Sequence, residues 1–330
     1  MPQRLTVICP IRNEGPFVVE WVAWYRMLGF TDLLVLTNDC TDRSPALLDH
    51  LAGAGWLTHV THRPPDGKPA KRSAYRTALA HDLVQSADWS FLCDIDEFLV
   101  IHQGDGTVPE FLDGLDGHCR AVAVHWRCFG ASGHAAWTDA PTPYRFTRAA
   151  PHGHKADASF KSFTRRPRDF AKFSDHGPVF FNGEWGTPPN IMVDTEGRIL
   201  TRYHPTDNRQ RATSPGRITH RTAQLNHYIT RSAEHFAAKR GTPCATRHFD
   251  RYTDGFFESY NRNEVEDLSA LRYRDRFDGL RAEAMAIPGV ARLHHLCCAD
   301  HVAWLCERSG RDPAADPRRA WHLNRASDLG

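Results

Sequence analysis

Phe91-Leu92-Cys93-Asp94-Ile95-Asp96-Glu97-Phe98-Leu99-Val100-Ile101 is the stretch on which the fold turns. Three carboxylates stand inside an otherwise apolar run. Buried charge is costly unless something compensates it. One compensation is structural, with the acids capping turns or pairing with Arg. The other is a divalent cation. As a single strand over 90–101, alternation puts Asp94 and Asp96 on one face, where both approach one ion. Hard oxygen ligands suit Mg²⁺ or Mn²⁺ and leave coordination positions for phosphate oxygens.

Working back toward the amino terminus, strands and helices alternate. Residues 5–11 form a short apolar run that ends in a turn. Residues 17–28 carry apolar side chains at helical spacing and stop at Gly29; 33–37 read as a second strand, 46–54 as a helix stopped by Gly55, 56–61 as a third strand and 71–86 as a third helix. This rhythm predicts a mostly parallel sheet with helices on both faces. Ligands of such sheets bind at the carboxyl ends of the strands. Three polar clusters fall there: Arg12-Asn13-Glu14, Asn38-Asp39 and Asp94 to Glu97.

Working forward, residues 122–202 are rich in Gly, Pro, His and aromatics and predict strands joined by long loops, which in compact domains are mostly functional. From Pro215 the chain reads as helical, over 224–239, 265–286 and 290–307, with a break at Pro288-Gly289 and a tail from Arg311 expected to fray. The expected division is an α/β unit over 1–215, with halves 1–120 and 121–215, and a helical region over 216–330 packed on it.

Composition narrows the class. Lys plus Arg number 41 and Asp plus Glu 39, for a net charge of +2, and 41% of the 330 residues are hydrophobic. A basic nucleic-acid coat and an acidic disordered chain are both excluded. No apolar run reaches the roughly 18 residues of a membrane span, and no secretory signal is apparent. A cytoplasmic protein is expected, with a peripheral contact at the inner membrane face conceivable through Phe170, Phe173, Phe180 and Phe181. Core packing is the plainer use of these aromatics. Nine Cys without a CxxC pair predict free thiols. Cys297, Cys298 and Cys306 with His294, His295 and His301 fit no common zinc-finger spacing.

Several further segments share a look with DIDEF, the run from Asp94 to Phe98. They are Arg12-Asn13-Glu14 with Glu20-Trp21-Val22 and Leu28-Gly29; Asn38-Asp39-Cys40-Thr41-Asp42; Trp126 through Gly133; Lys161-Ser162-Phe163 through Pro167; Leu225-Asn226-His227-Tyr228 through Ser232; and residues 261–273. In this order they resemble the family 2-like and family 92-like glycosyltransferases of the GT-A fold. That is a Rossmann-like nucleotide-diphospho-sugar transferase fold, here with added C-terminal helices. The resemblance spans most of the chain.

The resemblance implies roles. Asp94 and Asp96 hold Mn²⁺ or Mg²⁺ against the donor's diphosphate, where the ion acts as Lewis acid and template. His227 completes the metal shell, with His176 and His204 as rivals. Pro10, Arg12, Glu14, Asn38, Asp39, Lys71, Arg72 and Asp94 line the donor site, the Asn38-Asp39 pair reading a base, commonly uracil. Residues 1–120 are the nucleotide-sugar half and 121–215 the acceptor half. Trp126, Phe129 and Gly130 offer the acceptor flat apolar surfaces. An inverting transferase needs a general base, worth about 10²–10⁴-fold; Glu184 and Asp175 are the candidates. The Glu-Asp pair of family 2 is absent, which leaves base and stereochemistry open. The implied partners are a nucleotide-sugar donor, UDP-linked as is common in such families, and a glycan or lipid-linked acceptor, as in polysaccharide biosynthesis. Two other readings stand beside this one: a non-catalytic carbohydrate-binding protein on the same fold, and a nucleotidyltransferase. The latter wants a longer, more basic loop than Arg12-Asn13-Glu14-Gly15.

Overall fold

The computed structural model describes residues 3–115, 117–206, 210–242 and 250–330. Its first part follows the predicted alternation: β1 (Leu5–Ile11), α1 (Gly15–Met27), β2 (Asp32–Thr37), α2 (Ser44–Gly53), β3 (Thr58–Thr61), α3 (Ala70–Leu79), α4 (Asp82–Gln85) and β4 (Trp89–Leu92). These four strands pair in parallel in the order β3-β2-β1-β4. β1 is apolar apart from Thr6, whose hydroxyl donates to the Leu83 carbonyl, because both its faces are covered. Leu5, Val7, Cys9 and Ile11 join the core under α1, while Ile8 packs with Leu34, Leu36 and the α3 residues Ala74, Tyr75 and Ala78.

The second part mixes directions. It contains β5 (Glu97–Ile101), α5 (Val108–Asp113), β6 (Ala121–Cys128), α6 (Thr142–Arg145), β7 (Arg148–Ala149), β8 (Phe160–Arg165), the hairpin β9 (Phe170–Ser174) and β10 (Gly177–Phe181), β11 (Met192–Asp194) and β12 (Ala223–His227). The sheet continues from β4 as β8-β6-β12-β5, with β11 also on β6. β8 runs antiparallel to β4 and β6, β12 parallel to β6, and β5 antiparallel to β12. The last part holds α7 (Ala233–Lys239), α8 (Asp254–Tyr260), β13 (Val265–Glu266), which pairs with β7, and then α9 (Arg274–Ala286), α10 (Val290–Arg308) and α11 (Pro317–Asp328).

The fold is the expected α/β class, a curled, mostly parallel sheet with helices on both faces and C-terminal helices. Four local expectations are corrected. Residues 90–101 are two strands, β4 and β5, that lie apart in the sheet with β8, β6 and β12 between them. The helix predicted over 71–86 stops after Leu79, and α4 starts separately behind the side-chain cap of His81. Residues 224–239 are a strand and a helix: β12 is buried along its whole length, so it shows no alternation, and α7 begins at the Ser232 cap. Residues 265–286 become β13, a 3₁₀ turn and α9. The tail is helical in α11, where the Asp316 side chain accepts from the Arg318 N–H at the start of the helix. Because β12 lies inside the sheet, residues beyond 215 belong to it.

Among the described residues every Cys is free, and no helix is long and apolar enough to cross a membrane. Phe170 and Phe173 are core residues, and Phe181 packs on Phe170 and Trp185; of the four aromatics considered for a membrane contact, Phe180 alone stands exposed.

Candidate active site

The acids of DIDEF sit in the turn that leaves β4 and enters β5. The Glu97 amide donates to the Asp94 carbonyl over 3.0 Å and closes this turn. Strand alternation therefore does not set the carboxylates, as it would in a continuous strand. Each one faces its own partners.

Asp94 lies between two ammonium groups. Lys71 Nζ, from the first turn of α3, is 2.7 Å from it, and Lys161 Nζ, from β8, is 3.0 Å away. Burial pushes the Asp94 carboxyl up, but Lys161 and Lys71 outweigh it and hold the group well below the usual carboxylate range. Glu97 is fully buried. Its Oε1 accepts from Trp126 Nε1 at 2.9 Å, its Oε2 from the Asp94 amide at 2.8 Å, and Lys161 Nζ lies 3.5 Å off. Burial, with Asp94 and Asp96 close by, pushes its pKa up to about 8 although Lys161 pulls the other way. Its contacts, all of them donors, favour the ionised form.

Asp96 has a different partner. Its Oδ2 is 3.8 Å from His227 Nε2, at the end of β12, and its carbonyl accepts from the Tyr228 amide at 2.9 Å. Burial raises the Asp96 carboxyl, but His227 and Arg231 more than offset that and leave it below the ordinary range. The His227 ring packs on Trp126 with centroids 4.2 Å apart. Burial lowers its pKa to about 4, so near neutral pH it is a neutral imidazole. Its Nδ1 is buried and has no partner. Arg231, in the left-handed region at φ 47°, turns back to donate to Glu14 Oε2 at 2.9 Å, and Lys239 reaches the other Glu14 oxygen at 3.4 Å. Glu14 thus ties the end of β1 to the segment after β12.

The β9–β10 turn closes a third side. Asp175 accepts from Tyr75 Oη at 3.1 Å and lies 3.7 Å from Lys71. Burial raises its carboxyl, but Lys71 and Lys161 outweigh that and hold it below the usual range. His176 donates through Nδ1 to the Phe160 carbonyl at 2.9 Å, which leaves Nε2 as an acceptor.

These residues fit a divalent cation unevenly. Asp96 and the neutral His227 are suited to one, a carboxylate oxygen beside an imidazole whose second nitrogen is unclaimed. Asp94 already carries two ammonium partners. Asp94, Asp96 and His227 are not among the groups of three ligand atoms that converge within 4.8 Å among the described residues. His204 is bonded through Nδ1 to Thr206.

The remaining expected residues divide. Pro10, half-buried, is the second-last residue of β1. Arg12 is exposed beside Cys40, and Asn38 is buried with its amide donating to exposed Asp39 at 3.0 Å. These and Glu14 rim the carboxyl ends of β1 and β2. Arg72 is exposed on α3, one position past the lysine that turns inward. Phe129 does not offer a sugar its face: it is 1% exposed and packs on Tyr228 at 4.8 Å. Gly130 is a close-packing glycine, since a Cβ there would meet the Arg262 carbonyl at 2.5 Å. Trp126 keeps partial exposure. Glu184 is exposed and remote. β10 runs away from the Asp175 turn to Phe181, over which Arg120 stacks, and the following loop bonds Arg120 through Asn190. Arg120 precedes β6, whose other end carries Trp126, about 20 Å away at 3.3 Å per residue. Lys161, Tyr75 and Arg231 were not expected at the site. Lys161 was visible only as part of the Lys161-Ser162-Phe163 segment of the resemblance, and the signal for Arg231 was a cation shortly after the Asn226-His227-Tyr228 run.

The acidic turn, framed by cations, lies at the carboxyl ends of parallel strands, where such sheets bind their ligands. The model of glycosyltransferase family 92 matches residues 5–266, and the chain belongs to that family. No curated protein matches it. Among solved structures it is similar to Staphylococcus aureus TarS 1–349, at 11% identity over 99% of this chain and 89% of that one, TM-score 0.36. It is also similar to glucosyl-3-phosphoglycerate synthase from Mycobacterium tuberculosis in complex with Mg²⁺ and UDP. The match there is 19% identity over 38% of this chain and 44% of that one, TM-score 0.27. The chain thus spans less than half of that synthase. HddC from Yersinia pseudotuberculosis matches at 9% identity over 58% of this chain and 90% of that one, TM-score 0.31.

Proposed function

We propose that the protein transfers a sugar from a uridine-diphosphate-linked donor to a hydroxyl of a glycan or lipid-linked acceptor, with Mn²⁺ or Mg²⁺ held by Asp96 and His227. The observation that carries this reading is Asp96 beside a neutral, buried His227 at the carboxyl ends of the strands, in a family 92 chain. Asn38 and Asp39 face the uracil edge, and Pro10 and Arg12 flank the nucleoside. When bound, the ion neutralises charge that develops on the departing diphosphate.

The chain's own residues do the rest. Lys71 and Lys161 fix Asp94, and through the Asp94 amide and Glu97 they fix the turn that aims Asp96. Trp126 gives the acceptor its stacking face, while its Nε1–H holds Glu97. Asp175 is the base: Lys71 and Lys161 keep it ionised, so it takes the acceptor's proton only as bond formation makes that hydroxyl more acidic. The stereochemical course that goes with a carboxylate base at this place is inversion.

Thermal unfolding with UDP, with and without Mn²⁺, tests the reading. A ligand at a hundred times its dissociation constant stabilises by about 2.7 kcal/mol, equal to a rise of several degrees at about 2–4 °C per kcal/mol. The expected result is a UDP-dependent rise that needs Mn²⁺ and disappears in Asp96→Ala. No response of the folded protein to any nucleoside diphosphate would favour the carbohydrate-binding reading. Release of pyrophosphate in place of a nucleoside diphosphate during turnover would favour a nucleotidyltransferase.

A further inference from the structure

Beyond the acidic turn, residues 137–141 meet α10 and α11 at a second set of ligand atoms. Asp139, His294 and Cys298 offer one atom each, all within 4.8 Å of one another, and Asp139, His295 and His322 do the same. His294 and Cys298 are four residues apart on α10, so they project from one face, a turn apart. His294 Nε2 lies 3.0 and 3.1 Å from the two Asp139 oxygens, and Cys298 Sγ lies 3.6 Å from the same nitrogen. Next to them His295 Nδ1 and His322 Nδ1 are 3.1 Å apart.

Hydrogen bonding uses part of this cluster, since the Asp139 carboxylate takes both the His294 Nε2–H and the Cys298 thiol, while His294 Nδ1 is buried with no partner. The 3.6 Å between Cys298 Sγ and His294 Nε2 is that of a coordination shell, and the 3.0–3.1 Å contacts of Asp139 with His294 and of His295 with His322 are a few tenths of an ångström shorter. Around a tetrahedral ion with bonds of about 2.0–2.1 Å to nitrogen and about 2.3 Å to sulfur, neighbouring ligand atoms stand about 3.3–3.6 Å apart. The donor set, imidazole and thiolate with a single carboxylate, selects zinc over magnesium or calcium. The charges also close: one thiolate and one carboxylate cancel a divalent cation, so a buried centre is neutral.

We infer that Asp139, His294 and Cys298 form a zinc site separate from the transfer site, with His322, from the adjoining Asp139–His295–His322 triad, swinging in as the fourth ligand from the α11 side. On binding, the Cys298 thiol loses its proton to solvent as the sulfur–metal bond forms, and nothing is oxidised or reduced. A groove lined by Trp137, Pro317, Trp321 and His322 opens onto Asp139 and gives the ion a way in. The site clamps α10 and α11 to the 137–141 segment. The residue after that segment, Thr142, is in turn bonded to Glu20 of α1 at 2.6 and 2.7 Å.

Cobalt serves as the probe, because Co²⁺ bound to a thiolate absorbs where Co²⁺ bound only to nitrogen and oxygen does not. The full chain is stripped with a chelator and titrated with Co²⁺ in the absence of any nucleotide. The expected result is one ion per chain, a thiolate-to-metal charge-transfer band with intense tetrahedral visible bands, and loss of both when Zn²⁺ is added. Cys298→Ser loses the charge-transfer band. Cys297→Ser, whose sulfur faces Gly15, keeps it, and Asp96→Ala keeps it too. Should Cys298→Ser fail to fold, Asp139→Asn and His322→Ala serve, each with affinity at least tenfold weaker. A wild-type chain that shows no charge-transfer band overturns the assignment. So does a band that survives Cys298→Ser, or an affinity unchanged in both Asp139→Asn and His322→Ala.

Discussion

Two ammonium groups, from Lys71 and Lys161, rest on Asp94, whereas two residues on Asp96 meets an imidazole. The neighbours therefore respond differently to substitution. Asp94→Asn strands two buried cations, and breaking a buried pair costs about 3–5 kcal/mol. That variant should unfold at clearly lower urea concentration as well as lose turnover. Asp96→Asn should keep the wild-type unfolding midpoint within the shift of about 1 kcal/mol while turnover drops by at least about 100-fold, the lower end of what one such contact contributes. Equal destabilisation in the two variants would contradict the division of labour. Lys161→Met should resemble Asp94→Asn in chemical denaturation, since it leaves Glu97 and Asp94 without their shared cation. The acids were legible in the sequence because three carboxylates among Phe, Leu, Val and Ile stand out. Lys161 was legible only as part of a motif, because nothing local to residues 160–165 says that this strand lies next to β4. Glu184 drew notice for its turn-rich surroundings, but β10 carries it to the other end of the sheet.

At the scale of elements, βαβ alternation made the first four strands readable, because a parallel strand covered on both faces is a plain apolar run between helical patterns. The same rule hid β12. A five-residue strand buried along its length looks like part of a helix when Leu225, Tyr228 and Ile229 happen to fall at helical spacing. The junction of α1 and α10 offers a test of packing. A Cβ on Gly15 would lie 2.5 Å from Cys297 Sγ and 2.7 Å from its Cβ. Gly15→Ala therefore forces the two helices apart, and overpacking of this kind costs about 1–3 kcal/mol. A fall in Tm is expected for Gly15→Ala, with partial recovery when Cys297→Ala is added. Additive losses in the double variant would mean that the contact is not what limits the site.

Across the whole molecule, buried histidines set the acid limit of stability. Burial lowers His125, His176 and His227 to about 4, and His220 and His301 to about 3, against an ordinary 6.5. A group whose folded pKa is depressed takes up protons in the unfolded chain first. Its contribution is full above pH 6.5 and is lost as pH falls toward the folded value. Glu97, raised to about 8, acts in the opposite sense: its contribution is full below about 4.5 and fades as pH climbs. Five histidines outweigh one glutamate, so the urea midpoint should fall steeply from pH 6.5 to 4, and a flat profile there would show the imidazoles to be solvated. The order of synthesis follows from the turn between β4 and β5. The strands that separate them come from residues 121–128, 160–165 and 223–227. A nascent chain that has emerged only to residue 215 already carries Asp94, Asp96 and Glu97, yet β5 lacks the neighbour it pairs with and Asp96 lacks His227. Contacts of such high sequence separation form slowly. The Asp96–His227 pair is thus completed only when β12 has been made and laid beside β5, so the growing polypeptide carries the acidic turn before it carries the finished site.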